Sequence, residues 1–111
     1  MSTVYAYVPS PNHVYPDHPE RPGRFKLLEP RLASFQADKI DAVPATREEV
    51  VRVHHPKLVS ELERACAMGP GVIDYAPTYV TQTSFDDALL AAGGVIACTR
   101  AVFRGDVKNA V

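Results

Sequence analysis

The sequence has no excess of either charge, only two cysteines, and no unbroken apolar run long enough to cross a bilayer. Twelve Lys and Arg against thirteen Asp and Glu give a net charge of −1. That removes the electrostatic basis for binding nucleic acid or an anionic membrane surface. The most apolar stretch, Ala88 to Phe103, is broken by Gly93-Gly94, Thr99 and Arg100 and preceded by Asp86 and Asp87. A buried helix is expected there rather than a membrane span. Met1-Ser2-Thr3-Val4-Tyr5 lacks a basic region followed by an apolar one, so no secretory signal is read. Cys66 and Cys98, on separate predicted helices, are then expected to be reduced thiols of a cytoplasmic protein.

Catalytic spacings are missing too. The four histidines (His13, His18, His54, His55) and two cysteines form no CxxC, HxH or HExxH arrangement, and a zinc site needs three or four convergent ligands. No phosphate-binding glycine loop or dinucleotide fingerprint is present. No Ser/His/Asp or Cys/His pair stands in a nucleophile's motif context.

What remains is a folded chain, 46% hydrophobic and 23% charged, with ten prolines. Val4 to Val8 is β-branched and aromatic and stops at Pro9, so it reads as a buried strand. Pro9 to Gly23 holds five prolines and two histidines; a loop of that length in a compact domain is functional or disordered. Arg24 to Gln36 has helical spacing with a break expected at Pro30. Ile40 to Val43 is a short strand candidate. Thr46 followed by Glu49 predicts a capping box, and Pro56 suits the first turn of the next helix. Met68 to Gln82 reads as a second long loop, and Ser84 with Asp87 as the cap of a long buried helix. Gly93-Gly94 in its middle costs about 1 kcal/mol per glycine against alanine, which is tolerated where another backbone must approach closely. Val107 to Val111 begins a strand. The order predicts an α/β fold with a parallel sheet in one domain, residues 1–111.

The segment His18-Pro19-Glu20-Arg21-Pro22-Gly23-Arg24 is the most distinctive. Its prolines fix φ and bias the preceding residues to extended geometry, holding Glu20, Arg21 and Arg24 in place. It resembles the first loop of the zinc-dependent histone deacetylase superfamily, which includes acetoin-utilisation proteins and acetylpolyamine amidohydrolases. Glu48 to His54, Thr78 to Thr81, Ala88 to Gly94 and Gly105 to Val111 resemble later family segments in the same order. The resemblance spans the whole chain but covers about the first third of a family catalytic domain. It implies the N-terminal part of a three-layer arginase/deacetylase-like fold.

Its functional implications follow residue by residue. The complete enzyme would hydrolyse N-acetyl amides, on acetyl-lysine or a small acetylated amine, using zinc, a histidine dyad and a tyrosine. The zinc ligands and dyad would fall beyond residue 111, so the chain alone is expected to be inactive and to bind no zinc. His54-His55 is not that dyad; His54 matches a structural Val-His position and is expected to cap a helix C-terminus. Arg24 matches an arginine lining the internal channel, with Arg21 as rival and a plain pairing with Glu20 or Glu29 as the alternative. Asp74 falls where relatives place a rim aspartate that accepts substrate backbone amides, although Asp74-Tyr75-Ala76-Pro77-Thr78 departs from the usual Asp-x-Asp-Thr. A solvated loop aspartate is the other reading. His18 shapes the first loop and could touch substrate, and Tyr75 or Tyr79 could line the tunnel. The competing reading is a non-catalytic module that self-associates through Leu89, Val95, Ile96 and Val102.

Overall fold

The computed structural model describes residues 2–111. Three short strands form a parallel sheet in the order β2-β1-β5, where β1 is Thr3–Tyr5, β2 Asp38–Lys39 and β5 Asn109–Ala110. Val4 lies opposite Asp38 on one side and Ala110 on the other. The ladder runs past the strand ends, with Ile40 N–H donating to Tyr5 O at 2.9 Å and Ala6 N–H to Val111 O at 3.0 Å. Parallel neighbours demand crossover connections, and the helices supply them: α1 (Leu28–Ser34), α2 (Arg47–Val51), α3 (Pro56–Met68) and α4 (Ser84–Phe103). A 3₁₀ turn over Pro22–Phe25 precedes α1.

Several elements fall where the sequence places them. Thr46 and Glu49 close the expected capping box, with Glu49 N–H to Thr46 Oγ1 at 3.1 Å and Thr46 N–H to Glu49 Oε1 at 2.9 Å. Arg100 adds to this by reaching Glu49 Oε2 at 3.0 Å, and the Thr46 backbone donor chiefly holds the Glu49 carboxyl below its ordinary range. Pro56 opens α3.

Other expectations are corrected. Pro30 does not break a helix, because it sits in the first turn of α1, where a missing N–H costs nothing; the interruption falls earlier, at Lys26-Leu27. The second strand lies at Asp38–Lys39 instead of Ile40–Val43; Ile40 still bonds to β1, and further on the chain turns to α4, where Ala45 N–H donates to Leu89 O at 2.8 Å. Met68 to Gln82 is not all loop: β3 (Gly71–Val72) and β4 (Tyr79–Val80) pair as an antiparallel hairpin. Ser84 does not cap α4 with Asp87. Thr83 makes that contact, Oγ1 to Asp87 Oδ2 at 3.0 Å, while Ser84 Oγ accepts from Thr81 N–H at 2.8 Å. His54 makes no capping bond among the described residues; His55 caps α3 instead, its Nδ1 accepting from Lys57 N–H at 3.1 Å.

Gly93 sets the spacing between α4 and the rest. A Cβ there would stand 1.6 Å from Val43 O and 2.9 Å from Ala45 N, so the 43–45 backbone lies directly on the helix. At Gly94 a Cβ would meet Ala6 Cβ at 3.3 Å, an adjustable contact. The core itself is thin. Val4, Tyr5, Val59, Cys66, Tyr79, Val80, Cys98 and Val107 are buried, whereas Val95 and Phe103 on α4 are 69% and 88% exposed. Helix α4 is therefore most deeply covered on its Gly93–Gly94–Cys98 face and partly covered towards α3, in contrast to the burial all round that its composition suggests. The radius of gyration, 15.6 Å, exceeds the ~13 Å of a self-contained domain of this length.

Gly93→Ala is expected to cost at least about 3 kcal/mol, the upper end of overpacking, or to prevent folding. Gly94→Ala is expected to cost less than about 1 kcal/mol, since the gain in helix propensity offsets the tighter contact. Urea denaturation midpoints check both, and a Gly93→Ala variant as stable as the parent would contradict the close approach.

Candidate functional site

Tyr79 is the residue on which the proline-rich loop closes. It belongs to β4, is 1% exposed, and its hydroxyl faces two loop carbonyls, His13 O at 2.9 Å and Glu20 O at 2.6 Å. Those acceptors bracket the turn, so one hydroxyl gathers both ends of residues 13–20. The same ring is stacked by His13 (centroids 4.4 Å apart) and Tyr15 (5.2 Å) and met edge-on by His18 (4.6 Å). Burial, aided by the nearby Glu20 carboxylate, pushes the Tyr79 hydroxyl above its ordinary range, so it remains a donor at physiological pH.

His18 ties this loop to the hairpin. Its Nδ1 accepts from Glu20 N–H at 3.1 Å and its Nε2 lies 3.1 Å from Pro77 O. These partners define a ring protonated on Nε2 that donates to Pro77. His18 is thus a structural clamp, and it brings the 9–23 loop beside the segment carrying Asp74 and Tyr75.

Asp74 shapes its own loop. Its Oδ1 accepts from Ala76 N–H at 2.8 Å and Thr78 N–H at 2.9 Å, while Ile73 N–H donates to Thr78 O at 2.8 Å to close the hairpin. The Thr78 and Ala76 amides hold the Asp74 carboxyl below the usual aspartate range. Oδ2 takes no part in these bonds. Tyr75, at the tip, is fully exposed and lines no wall among the described residues.

Arg24 sits in the 3₁₀ turn, where Arg24 N–H donates to Arg21 O at 3.3 Å. Its guanidinium lies 3.9 Å from Glu20 Oε1 and 4.6 Å from the Phe25 ring centroid. Pairing with Glu20 therefore occurs, whereas Glu29 pairs with Lys39. Arg21 and Arg24 are both exposed. The structure places His18, the Glu20–Arg24 pair and the Asp74 loop along one edge, and leaves Tyr75 projecting from it. Sequence reasoning missed the contact between His13 and Ser84, whose side chains meet at 2.7 Å; 71 residues separate them, so no local spacing signals it. Among the described residues no group of three or more His, Cys, Asp or Glu could hold a metal ion, and no helix is long and apolar enough to cross a membrane.

A parallel sheet crossed by one long helix, with loops gathered at one edge, makes this an α/β fold. The crystal structure of the HDA15 HD domain matches it with a TM-score of 0.85 and 27% identity, over 98% of this chain and 34% of that one. A probable deacetylase of Archaeoglobus fulgidus is 36% identical over 101 residues, 86% of this chain and 28% of that protein. Residues 18–111 match the histone deacetylase domain family, and the chain belongs to it. It spans about a third or less of the length of these two proteins.

Tyr79→Phe removes the hydroxyl that serves both carbonyls and is expected to cost about 1–3 kcal/mol, with faster amide exchange across residues 13–20. Unchanged exchange would contradict the anchoring role. For Asp74 the sign follows from its lowered range: its contribution is complete above about pH 4 and is lost as pH falls further. Protection of the Ala76 and Thr78 amides, taken relative to their intrinsic exchange rates, should therefore fall in acid, and Asp74→Ala should show that loss of protection at neutral pH.

Proposed function

We propose that this chain forms the entrance loops and the first part of the sheet-and-helix scaffold of a zinc-dependent deacetylase acting on N-acetyl amides. The substrate class is acetyl-lysine or a small acetylated amine. The observation that carries the reading is the family match over residues 18–111, which begins at the clamped His18. The described residues do not themselves fit a zinc ion, so the reading puts the metal ligands and catalytic histidines outside them and expects no turnover from this chain alone.

Each edge residue then has a part. Arg24, held by Glu20, presents fixed donors suited to a departing acetate. Asp74, with Oδ1 committed to its own loop, offers Oδ2 as an acceptor for substrate backbone amides. The exposed Tyr75 ring packs against an acyl-lysine stem or its flanking residues. His18 positions the loop.

A second reading, a self-associating module without catalysis, draws on the open faces of α4. One groove of about 490 Å³ runs between Ala6, Val8, Val102 and Val111, and another of about 510 Å³ between Val53, Leu58, Phe85 and Val95. Apolar surface of this kind favours association.

The deciding assay is hydrolysis of an acetyl-lysine peptide and of an acetylated small amine by the protein extended through the rest of the family domain. Chelator-sensitive turnover is expected, with Arg24→Ala slowing it roughly tenfold or more, the scale of one lost positioning contact. Absence of zinc-dependent turnover would favour the second reading, and full activity in Arg24→Ala would remove its channel role.

A further inference from the structure

Helix α3 ends beside the β3–β4 hairpin, and the two enclose a groove of about 360 Å³ whose lining includes Arg64, Met68, Val72, Ile73 and Val80. Arg64 and Met68 come from the C-terminal end of α3, Val72 from β3 and Ile73 from the residue after it. Ile73 directly precedes Asp74, so the groove reaches the loop in which the Ala76 and Thr78 amides occupy Oδ1 and not Oδ2.

The groove offers both backbone and charge to a ligand. In the hairpin Ile73 N–H donates to Thr78 O at 2.8 Å, which makes 73–78 and 71–80 the hydrogen-bonded pairs of the antiparallel ladder. Val72, opposite Tyr79, therefore turns its N–H and C=O away from β4, to the outer edge of a sheet that has only two strands. Such an edge pairs with an extended chain. Arg64 is exposed, and among the described residues no salt bridge engages it, while Glu61 on the same groove pairs with Lys57 at 3.9 Å. Met68, Val72 and Ile73 add exposed apolar surface.

We propose that this groove is the docking track for the peptide flanking an acetyl-lysine, and that it selects peptides with an acidic residue near the acetyl-lysine. The peptide backbone pairs with the Val72 edge, and an acidic side chain meets the Arg64 guanidinium, whose planar fork of donors matches a carboxylate. An apolar side chain of the peptide lies on Met68 and Ile73. A small acetylated amine has no backbone to pair and no flanking carboxylate. Of the two substrate classes, the groove therefore favours acetyl-lysine within a peptide. The inference rests on the deacetylase reading for the chemistry of its ligand, and adds a specificity to it.

The test uses the protein extended through the rest of the family domain, acetyl-lysine peptides carrying Glu or Lys at each flanking position in turn, and an acetylated small amine. At one or more positions the acidic peptide is expected to show a lower KM than its basic counterpart. Arg64→Glu should invert that preference, raising KM for the acidic peptide roughly fivefold or more while leaving the small amine's kinetics unchanged. Higher salt should shrink the preference. N-methylation of single peptide amides, which leaves the protein untouched, should raise KM at the position that pairs with Val72. Turnover of both substrates with no flanking preference, or a preference indifferent to Arg64→Glu, would overturn the groove and leave the deacetylase reading standing. If neither substrate is turned over, that reading falls, and amide NMR of the same protein with the acidic peptide decides the groove. Shifts centred on residues 64–73 would support it, and their absence would overturn it.

Discussion

One buried tyrosine hydroxyl holds the functional edge together. The loop from Pro9 to Gly23 contains no helix or strand before its closing 3₁₀ turn, so its order must come from elsewhere. Tyr79 supplies it by burying a ring, worth about 2 kcal/mol for an aromatic of this size, and by donating toward carbonyls at both ends of the turn. The prolines limit how much entropy this ordering costs, since their φ is fixed in the unfolded chain as well. The positions of His18, Glu20 and Arg24 all depend on that anchoring, and through the His18–Pro77 contact so does the alignment of the Asp74 loop.

The second constraint is the approach of the 43–45 backbone to α4 at Gly93. It explains why a helix of good formers tolerates a glycine at position 93. It also leaves α4 as a support shared between the sheet on one side and α3 on another. A slab 19 Å in its thinnest dimension cannot bury both faces of such a helix. The exposed Val95 and Phe103 are the visible consequence, and they fit a chain that spans about a third of its relatives' length.

Much of this was legible in the sequence. The parallel α/β character, the Thr46–Glu49 box, the entry at Pro56 and the close approach at Gly93-Gly94 follow from local rules whose partners lie within a few residues or whose cost demands a compensation. The family resemblance rested on the ordered segments from His18 onward, and the family match covers that range. What escaped was non-local or very short. Strands of two residues carry no periodicity, so the hairpin at Gly71–Val72 and Tyr79–Val80 left no trace. Tyr79 was read as a loop residue that could line the tunnel, and its anchoring role stayed hidden because its acceptors are 59 and 66 residues away. Ser84 and His54 were misjudged because neighbours took the roles expected of them: Thr83 meets Asp87 while Ser84 Oγ accepts from Thr81 N–H, and the capping bond is made by His55 at the start of α3.

Whether these residues belong to a longer deacetylase domain is read from the coding sequence immediately after the Val111 codon. From the family resemblance, an open frame is expected that soon reads into a Pro-Gly-His-His segment, followed later by Asp-x-His. A stop codon at that point would contradict it, leaving the fold without the groups that catalysis requires.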